Sequence, residues 1–204
     1  MTGKIVGVGL NYRAHAAEQG KRVPDEPLLF LKPASAVVGS GQAIVLPKGY
    51  DRVDYEGELA LVIGRRAKRV PRERALEVVA GYTCLNDVTV RDLQRKDVQY
   101  TRAKGFDTFC PMGPGVVAGL DPAGLAITTR LNGETRQRSS TADMIFDVPT
   151  LIAFITFVMT LEEGDVITTG TPPGVGPLAP GDRVEIEIEG IGILSNPVVE
   201  DQGE

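Results

Sequence analysis

Residues 53–63 read Val-Asp-Tyr-Glu-Gly-Glu-Leu-Ala-Leu-Val-Ile, a long strand signal that organises the rest of the chain. Its second half is apolar on both faces, which indicates a strand in the middle of a sheet. Glu56 and Glu58 lie two positions apart, so their carboxylates point to the same face. Such a pair on an open strand usually just faces solvent. If it is buried, the two charges repel unless a cation neutralises them, so the stretch predicts either a solvated pair or a metal site.

The rest of the chain predicts a mainly β protein with a few helices (α+β), formed as a single domain over residues 1–204. Near the C-terminus, apolar and acidic residues alternate over 184–188, the pattern of a half-buried strand. Asn132-Gly133 is a strong hairpin signal. Pro149 and a capping Asp147 indicate the start of a helix. The other predicted strands are 4–10, 28–31, 43–46, 81–86, 116–117 and 126–132, and the predicted helices are 12–19, 71–79 and 148–160.

Composition excludes several functional classes. The chain has 204 residues, a net charge of −5 and no long run of one sign, which argues against nucleic acid as a partner. The longest apolar run, 151–161, is too short to span a bilayer. No secretory signal pattern is visible, and Cys84 and Cys110 do not make a disulfide framework, so we expect a cytoplasmic protein. His15 is the single histidine, so a metal site must consist largely of carboxylates, which favours Mg²⁺, Mn²⁺ or Ca²⁺.

Four further positions are candidates for chemistry. Asp87 follows an apolar strand and is either a helix cap or a third carboxylate for a cation. His15 and Glu18 lie three apart on a predicted helix, where a carboxylate fixes the tautomer of the imidazole, although such pairs are commonly weak surface ion pairs. Lys104 lies in a turn with glycine and aromatic neighbours and either stabilises an enolate or carboxylate or is an exposed loop lysine.

Six segments, taken in order, resemble the fumarylacetoacetate hydrolase family. Any one of them is a weak motif, but six in the same order are highly specific. They extend from the first predicted strand to the last third of the chain. The segments are VGLNYRAH (8–15), LFLKP (29–33), DYEGEL (54–59), NDVTVRD (86–92), KGFDT (104–108) and TGTP (169–172).

The resemblance implies a fold, a metal site and an assembly. The fold is a mixed β-sandwich roll of the type found in the C-terminal, catalytic domain of this family, without the N-terminal domain that some members carry. The assembly is a homodimer. The metal, Mg²⁺ with Mn²⁺ or Ca²⁺ as alternatives, is held by Glu56, Glu58 and Asp87.

The resemblance also assigns roles to residues around that metal. In the hydrolase and decarboxylase branch a His–Glu pair on a short mobile helix activates water, and His15 and Glu18 match it. Lys104 stabilises the enolate that forms. The residues that match the family's contacts to the keto-acid end of the substrate are Arg91, Gln94, Lys104 and Thr171.

Three reactions share one pyruvate-type enolate, so the site residues alone do not choose among them. The first choice is hydrolysis of a C–C bond in acylpyruvate-type 1,3-diketo acids, which Glu18 favours. The alternative is an isomerase or decarboxylase of aromatic catabolism, acting on 2-hydroxyhepta-2,4-diene-1,7-dioate or 5-oxopent-3-ene-1,2,5-tricarboxylate, or an oxaloacetate decarboxylase or tautomerase. A catalytically silent metal-binding scaffold is the non-enzymatic alternative, and it has no need of His15 and Glu18.

Overall fold

A computed structural model describes residues 3–203 of the chain. It confirms a mainly β protein with a few short helices. The ends of the predicted 1–204 domain, residues 1–2 and 204, lie outside the described residues. No helix in the described range is long and apolar enough to cross a membrane.

The elements follow one another along the chain with short connections. The strands are β1 (Ile5–Gly9), β2 (Leu28–Lys32), β3 (Val37–Val38), β4 (Ile44–Leu46), β5 (Val53–Tyr55), β6 (Gly57–Ile63), β7 (Val79–Asn86), β8 (Thr89–Val90), β9 (Cys110–Val117), β10 (Ala126–Leu131), β11 (Glu134–Ser140), β12 (Val166–Thr168), β13 (Gly176–Pro177), β14 (Arg183–Ile188) and β15 (Gly192–Glu200). The α-helices are α1 (Arg13–Glu18), α2 (Arg91–Lys96), α3 (Thr101–Lys104) and α4 (Val148–Val158), and 3-10 turns cover Ala34–Ala36, Arg72–Val78 and Thr141–Asp143.

The largest sheet has seven strands in the order β2-β1-β12-β6-β7-β9-β3. Strand β6 lies in its middle and pairs antiparallel with β12 on one side and β7 on the other. The sheet is mixed, because β1 pairs parallel with β12 and β3 parallel with β9. The position of β6 explains its apolar sequence, since both of its faces are covered.

A second sheet, β11-β10-β14-β15-β4, packs against the first. The main core lies between them: Leu59, Leu61 and Cys84 from the seven-stranded sheet belong to the same buried cluster as Ile127 and Ile186 from the second. Helix α4 adds one apolar face to that cluster through residues 151, 152 and 155. This two-layer arrangement is the β-sandwich predicted from the sequence.

A small third sheet, β13-β5-β8, positions the residues beside the site. Its strand β5 leads into β6, and the two strands are separated at Glu56. At the junction, Gly57 lies so close to the second sheet that a β-carbon there would fall 2.1 Å from Thr129 Oγ1. The chain therefore passes from one sheet to another at the point where its first acidic residue lies.

Some element predictions were wrong in detail. The single strand predicted over 53–63 is two strands in different sheets, because β5 pairs with β8 and β13 while β6 pairs with β7 and β12. The predicted helix 71–79 is a 3-10 turn, Arg72–Val78, that runs directly into β7. The strand predicted at 116–117 is the end of the eight-residue β9. The hairpin at Asn132-Gly133 and the Asp147 cap are confirmed.

Candidate active site

Three buried carboxylates come together near the start of β6 and the end of β7. Glu56 lies at the β5–β6 junction, Glu58 on β6 and Asp87 just beyond β7, and one oxygen from each lies within 4.8 Å of the others. The pairing of Gly57 with Asn86 aligns the two strands there, and the Asp87 N–H donates to the Glu56 carbonyl at 2.9 Å. Asp87 does not cap the following helix, whose N-cap position is Val90. The grouping of the three predicted metal ligands is therefore present.

Glu58 lies in surroundings that favour its protonated form. Burial raises its pKa well above the ordinary value, and the negative charges of Asp87 and Glu56 raise it further. Its Oε2 accepts hydrogen bonds from the Thr168 hydroxyl and from the Gly170 N–H, the latter at 2.8 Å. Gly170 has φ +91°, and a β-carbon there would come within 2.8 Å of Asn11 Cβ, so this donor requires glycine.

Glu56 has the opposite environment. Lys104 Nζ donates to its Oε2 at 2.9 Å, and Arg91 Nη2 lies 2.6 Å from its Oε1. Burial alone raises the pKa of Glu56, but the positive charges of Lys104 and Arg91 outweigh it and hold the pKa well below its ordinary value. Two carboxylates two residues apart therefore differ in their proton affinity, because cations surround Glu56 while anions and burial surround Glu58.

Lys104 is buried, not an exposed loop lysine. Besides Glu56 it donates to Asp87 Oδ2 and, at 2.7 Å, to Thr89 Oγ1, and its ammonium group lies 4.9 Å from the centroid of the Phe30 ring. Burial alone would lower the pKa of Lys104, but the carboxylates of Asp87 and Glu56 outweigh it and raise the pKa. Lys104 therefore stays charged and balances the acidic cluster.

Two buried charged residues of the site were missed by the sequence analysis. Lys32, at the end of β2, donates to Asp87 Oδ1 at 2.6 Å, and its side chain is fully buried. Asp54 accepts from Arg91 Nε at 2.8 Å and thereby orients the guanidinium group toward Glu56. Lys32 lies in a segment matched to the family, and a lysine at a buried strand end is a signal that could have identified it.

His15 and Glu18 do form a pair. His15 Nδ1 lies 3.0 Å from Glu18 Oε2, and Glu18 Oε1 accepts from the Gly174 N–H at 2.9 Å. His15, on helix α1, is buried and lines the same cavity as the three carboxylates. The turn that leads into α1 contains Leu10 at φ +55°, an unfavourable backbone conformation for a leucine.

The remaining predicted substrate contacts line the same cavity. Gln94 accepts from Arg91 Nη1 at 2.8 Å. The Thr171 hydroxyl donates to the Gly57 carbonyl at 2.9 Å and accepts from Gln137 Nε2 at 2.8 Å, so it also joins the loop to the second sheet. The cavity has about 30 Å³ of free space, and its lining includes every predicted site residue except Glu18.

Comparison with known proteins identifies the family. The model of the fumarylacetoacetate (FAA) hydrolase C-terminal domain matches residues 4–199. The chain belongs to the fumarylacetoacetate hydrolase family.

Relatives within this family are enzymes of more than one reaction type. The chain is 44% identical over 210 residues to the oxaloacetate tautomerase YisK of Bacillus subtilis, covering 95% of this chain and 69% of that protein. The crystal structure of a 5-carboxymethyl-2-hydroxymuconate delta-isomerase from Mycobacterium smegmatis superimposes with a TM-score of 0.93 at 52% identity, covering 99% of this chain and 80% of that one. A fumarylpyruvate hydrolase from Pseudomonas aeruginosa, in complex with Mn²⁺ and pyruvate, has a TM-score of 0.92 at 34% identity over 98% and 91% of the two chains.

The donor set of this family member fits a hard divalent cation. Three buried carboxylates converge with one oxygen of each within 4.8 Å of the others, and burial together with the charges of Asp87 and Glu56 raises the pKa of Glu58. Oxygen ligands of this type suit Mg²⁺ or Mn²⁺. Glu56, Glu58 and Asp87 could therefore bind such an ion.

Proposed function

We propose that this chain catalyses proton transfer at the carbon beside the keto group of a small α-keto acid, with the tautomerisation of oxaloacetate as its first candidate reaction. The observation that carries the proposal is the shared cavity, which His15 lines together with three carboxylates able to hold a cation. The similarity to oxaloacetate tautomerases from Bacillus subtilis and Bos taurus, at 44% and 46% identity, supports this substrate.

The cation would be Mg²⁺ or Mn²⁺ on Glu56, Glu58 and Asp87. When bound, it would act as a Lewis acid toward the keto and carboxylate oxygens of the substrate. The chain's own residues would supply binding and acid–base chemistry around it. Lys104 and Arg91 are charged and buried at this point, so they would bind the substrate carboxylate and stabilise the negative charge of the enolate.

His15 is the proposed base. With Nδ1 hydrogen-bonded to Glu18, the ring presents Nε2 as its free acceptor. In the keto-to-enol direction His15 would take a proton from the carbon beside the keto group, and the keto oxygen would gain a proton. Ketonisation is the reverse, in which the enol oxygen loses its proton and His15 returns one to the carbon, so that no atom is lost. Glu18 is itself held by the Gly174 N–H, which orients the pair relative to the 170–174 loop.

Hydrolysis of acylpyruvates, the first choice from sequence, is the second candidate. The His15–Glu18 pair favours it, because the same base could take a proton from water. Water would add to the distal carbonyl, the C–C bond would break, and the pyruvate enolate would leave and be protonated to pyruvate alongside a carboxylic acid. The 34% identical fumarylpyruvate hydrolase supports this candidate. The homodimer and the cytoplasmic location stay predictions.

The test measures two substrates in parallel with added Mn²⁺ or Mg²⁺. Ketonisation of enol-oxaloacetate is followed by its absorbance, with pyruvate formation assayed separately, and acetylpyruvate loss is followed by its own absorbance. We expect EDTA to abolish metal-dependent turnover and His15→Gln to lower it by about 10²–10⁴-fold, the contribution of a general base. Calorimetric Mn²⁺ binding by His15→Gln should match wild type, which shows that the carboxylates remain in place.

The outcomes separate the candidates. Accelerated ketonisation without pyruvate formation identifies a tautomerase, and metal-dependent loss of acetylpyruvate identifies the hydrolase. Pyruvate formation from oxaloacetate would indicate a decarboxylase. Metal binding without turnover of these substrates or of the dienedioates would leave the silent scaffold. Turnover by His15→Gln at the wild-type rate would exclude His15 as the base.

A further inference from the structure

The two ends of the cavity differ in burial and charge. The buried end, which we call the floor, contains the three carboxylates and their cationic partners, and the end whose side chains are exposed to solvent is the mouth. Every carboxylate on the floor lies beside a buried cation or hydrogen-bond donor, as described above for Glu56, Glu58 and Asp87. Apart from Leu10, the partly or fully exposed side chains that line the mouth are polar, and none of them is acidic: Gln19, Lys21, Gln94 and Tyr100. A molecule that extends from the floor toward solvent therefore ends among hydrogen-bond donors.

Lys21 is the one cationic side chain among these mouth residues. It follows α1 directly, and its backbone N–H donates to the Ala16 carbonyl at 2.9 Å, which fixes the main chain of this turn relative to the helix that carries His15. Within residues 3–203, no carboxylate lies close enough to Lys21 Nζ to form an ion pair. The neighbouring Arg22, in contrast, pairs with Asp25 at 3.3 Å and does not line the cavity.

Gln94, which the family resemblance assigns to the keto-acid end, is partly exposed and also has a donor available to a second carboxylate. Its Oε1 accepts from Arg91 Nη1 at 2.8 Å, so the acceptor of the amide is occupied and its NH₂ group is the part left for another partner. An ammonium group and an amide NH₂ at one end of a cavity are donors suited to a carboxylate.

We propose that Lys21 is a specificity-determining residue that binds a second carboxylate, at the end of the substrate distal to the keto-acid group. The proposal rests on the proposed function, because it assumes that the keto-acid end lies on the acidic floor. A dicarboxylic keto acid such as oxaloacetate then places its second negative charge toward the mouth, whereas a monocarboxylic one such as acetylpyruvate or pyruvate does not. The site thus selects α-keto dicarboxylic acids.

The experiment compares Lys21→Gln with Arg22→Gln, which removes the same charge one residue away without touching the cavity. We expect Lys21→Gln to raise the KM for oxaloacetate roughly fivefold, the upper range for an exposed ion pair, with kcat little changed. The inhibition constant of pyruvate and the KM of acetylpyruvate should stay at their wild-type values. Lys21→Glu should raise the oxaloacetate KM further, because it places a like charge at the mouth.

Equal effects of Lys21→Gln and Arg22→Gln on oxaloacetate would overturn the proposal, since they would show only long-range attraction. Equal losses for oxaloacetate and pyruvate would overturn it as well. If the wild-type chain turns over no α-keto acid, the proposed function fails, and Lys21 is then judged by calorimetric affinities in the presence of Mn²⁺. In that case the assignment is supported if Lys21→Gln lowers the affinity for oxaloacetate but not for pyruvate. It is contradicted if the variant and the wild type bind oxaloacetate with equal affinity.

Discussion

At the scale of single residues, Lys32 and Asp87 form a buried ion pair in the site. Both side chains are removed from solvent, and the two charged atoms lie 2.6 Å apart. Lys104 neutralises the other oxygen of Asp87, so this one carboxylate is held by two ammonium groups from β2 and α3. A charged side chain is costly to bury alone, but it can be buried when hydrogen-bonded groups of opposite charge surround it.

We therefore expect Lys32→Met to lower the free energy of unfolding by about 1 to 3 kcal/mol, because Asp87 Oδ1 loses its buried donor while Lys104 still pairs with Oδ2. The measurement is urea unfolding without added metal. Lys48→Met, a matched change at an exposed lysine, should be nearly neutral. Equal stability of the two variants would mean that Lys32 is not needed to neutralise Asp87.

At the scale of elements, the sequence was informative where a local pattern decides the structure. The alternation in β14, the Asn132-Gly133 turn and the Asp147 cap all depend on neighbours within a few positions. The break at Glu56 was not visible, because the alternation that starts at Val53 continues without a proline or a turn signal into the apolar residues 59–63, while the strand partners change. Lys32 and Asp54 were missed for a related reason, since the partners that bring them into the site, Asp87 and Arg91, lie 55 and 37 positions away along the chain.

At the N-cap of helix α4, the charge of Asp147 is expected to contribute to the stability of the fold. The Asp147 Oδ1 accepts from the Thr150 N–H at 2.9 Å and Arg72 pairs with its other oxygen. Burial alone would raise the pKa of Asp147, but the Thr150 hydrogen bonds and the Arg72 charge outweigh it and hold the pKa below its ordinary value of 3.8. Because the folded-state pKa is the lower one, the charge stabilises the fold above that ordinary value, and this stability is lost as the pH falls through the folded-state pKa.

We expect Asp147→Ala to cost about 1 kcal/mol at neutral pH, and Asp147→Asn to cost less because asparagine also caps. Solvent screening keeps the charge effect small, since the Asp147 side chain is 51% exposed. The difference between wild type and Asp147→Asn should shrink as urea unfolding is repeated at lower pH. A difference that is constant with pH would show that the charge of Asp147 contributes nothing, and Asp25→Asn, at an exposed loop position, is the control.

At the scale of the whole molecule, a cation held by the acidic cluster would be linked to the global stability of the fold. The three carboxylates lie on or beside β6 and β7, in the middle of the largest sheet. Central strands of this kind separate only when the whole protein unfolds, so a change in the repulsion between the carboxylates changes the free energy of global unfolding. Glu58 holds its proton more tightly in the folded chain than in the unfolded one, because its pKa is raised. A cation bound there would have to displace that proton, so the affinity for the cation should increase as the pH rises.

Mn²⁺ at about 100 times its Kd should therefore stabilise the fold by about 2.7 kcal/mol, which corresponds to a rise in Tm of roughly 5–10 °C for a chain of this size. Glu58→Gln removes one ligand charge and should lose most of this shift, while Glu163→Gln, at an exposed position, should keep it. The shift should grow between mildly acidic and neutral pH in wild type and be reversed by EDTA. An equal Mn²⁺ shift in both variants would place the ion elsewhere on the chain, and a shift that falls with rising pH would contradict the competition between the cation and the Glu58 proton.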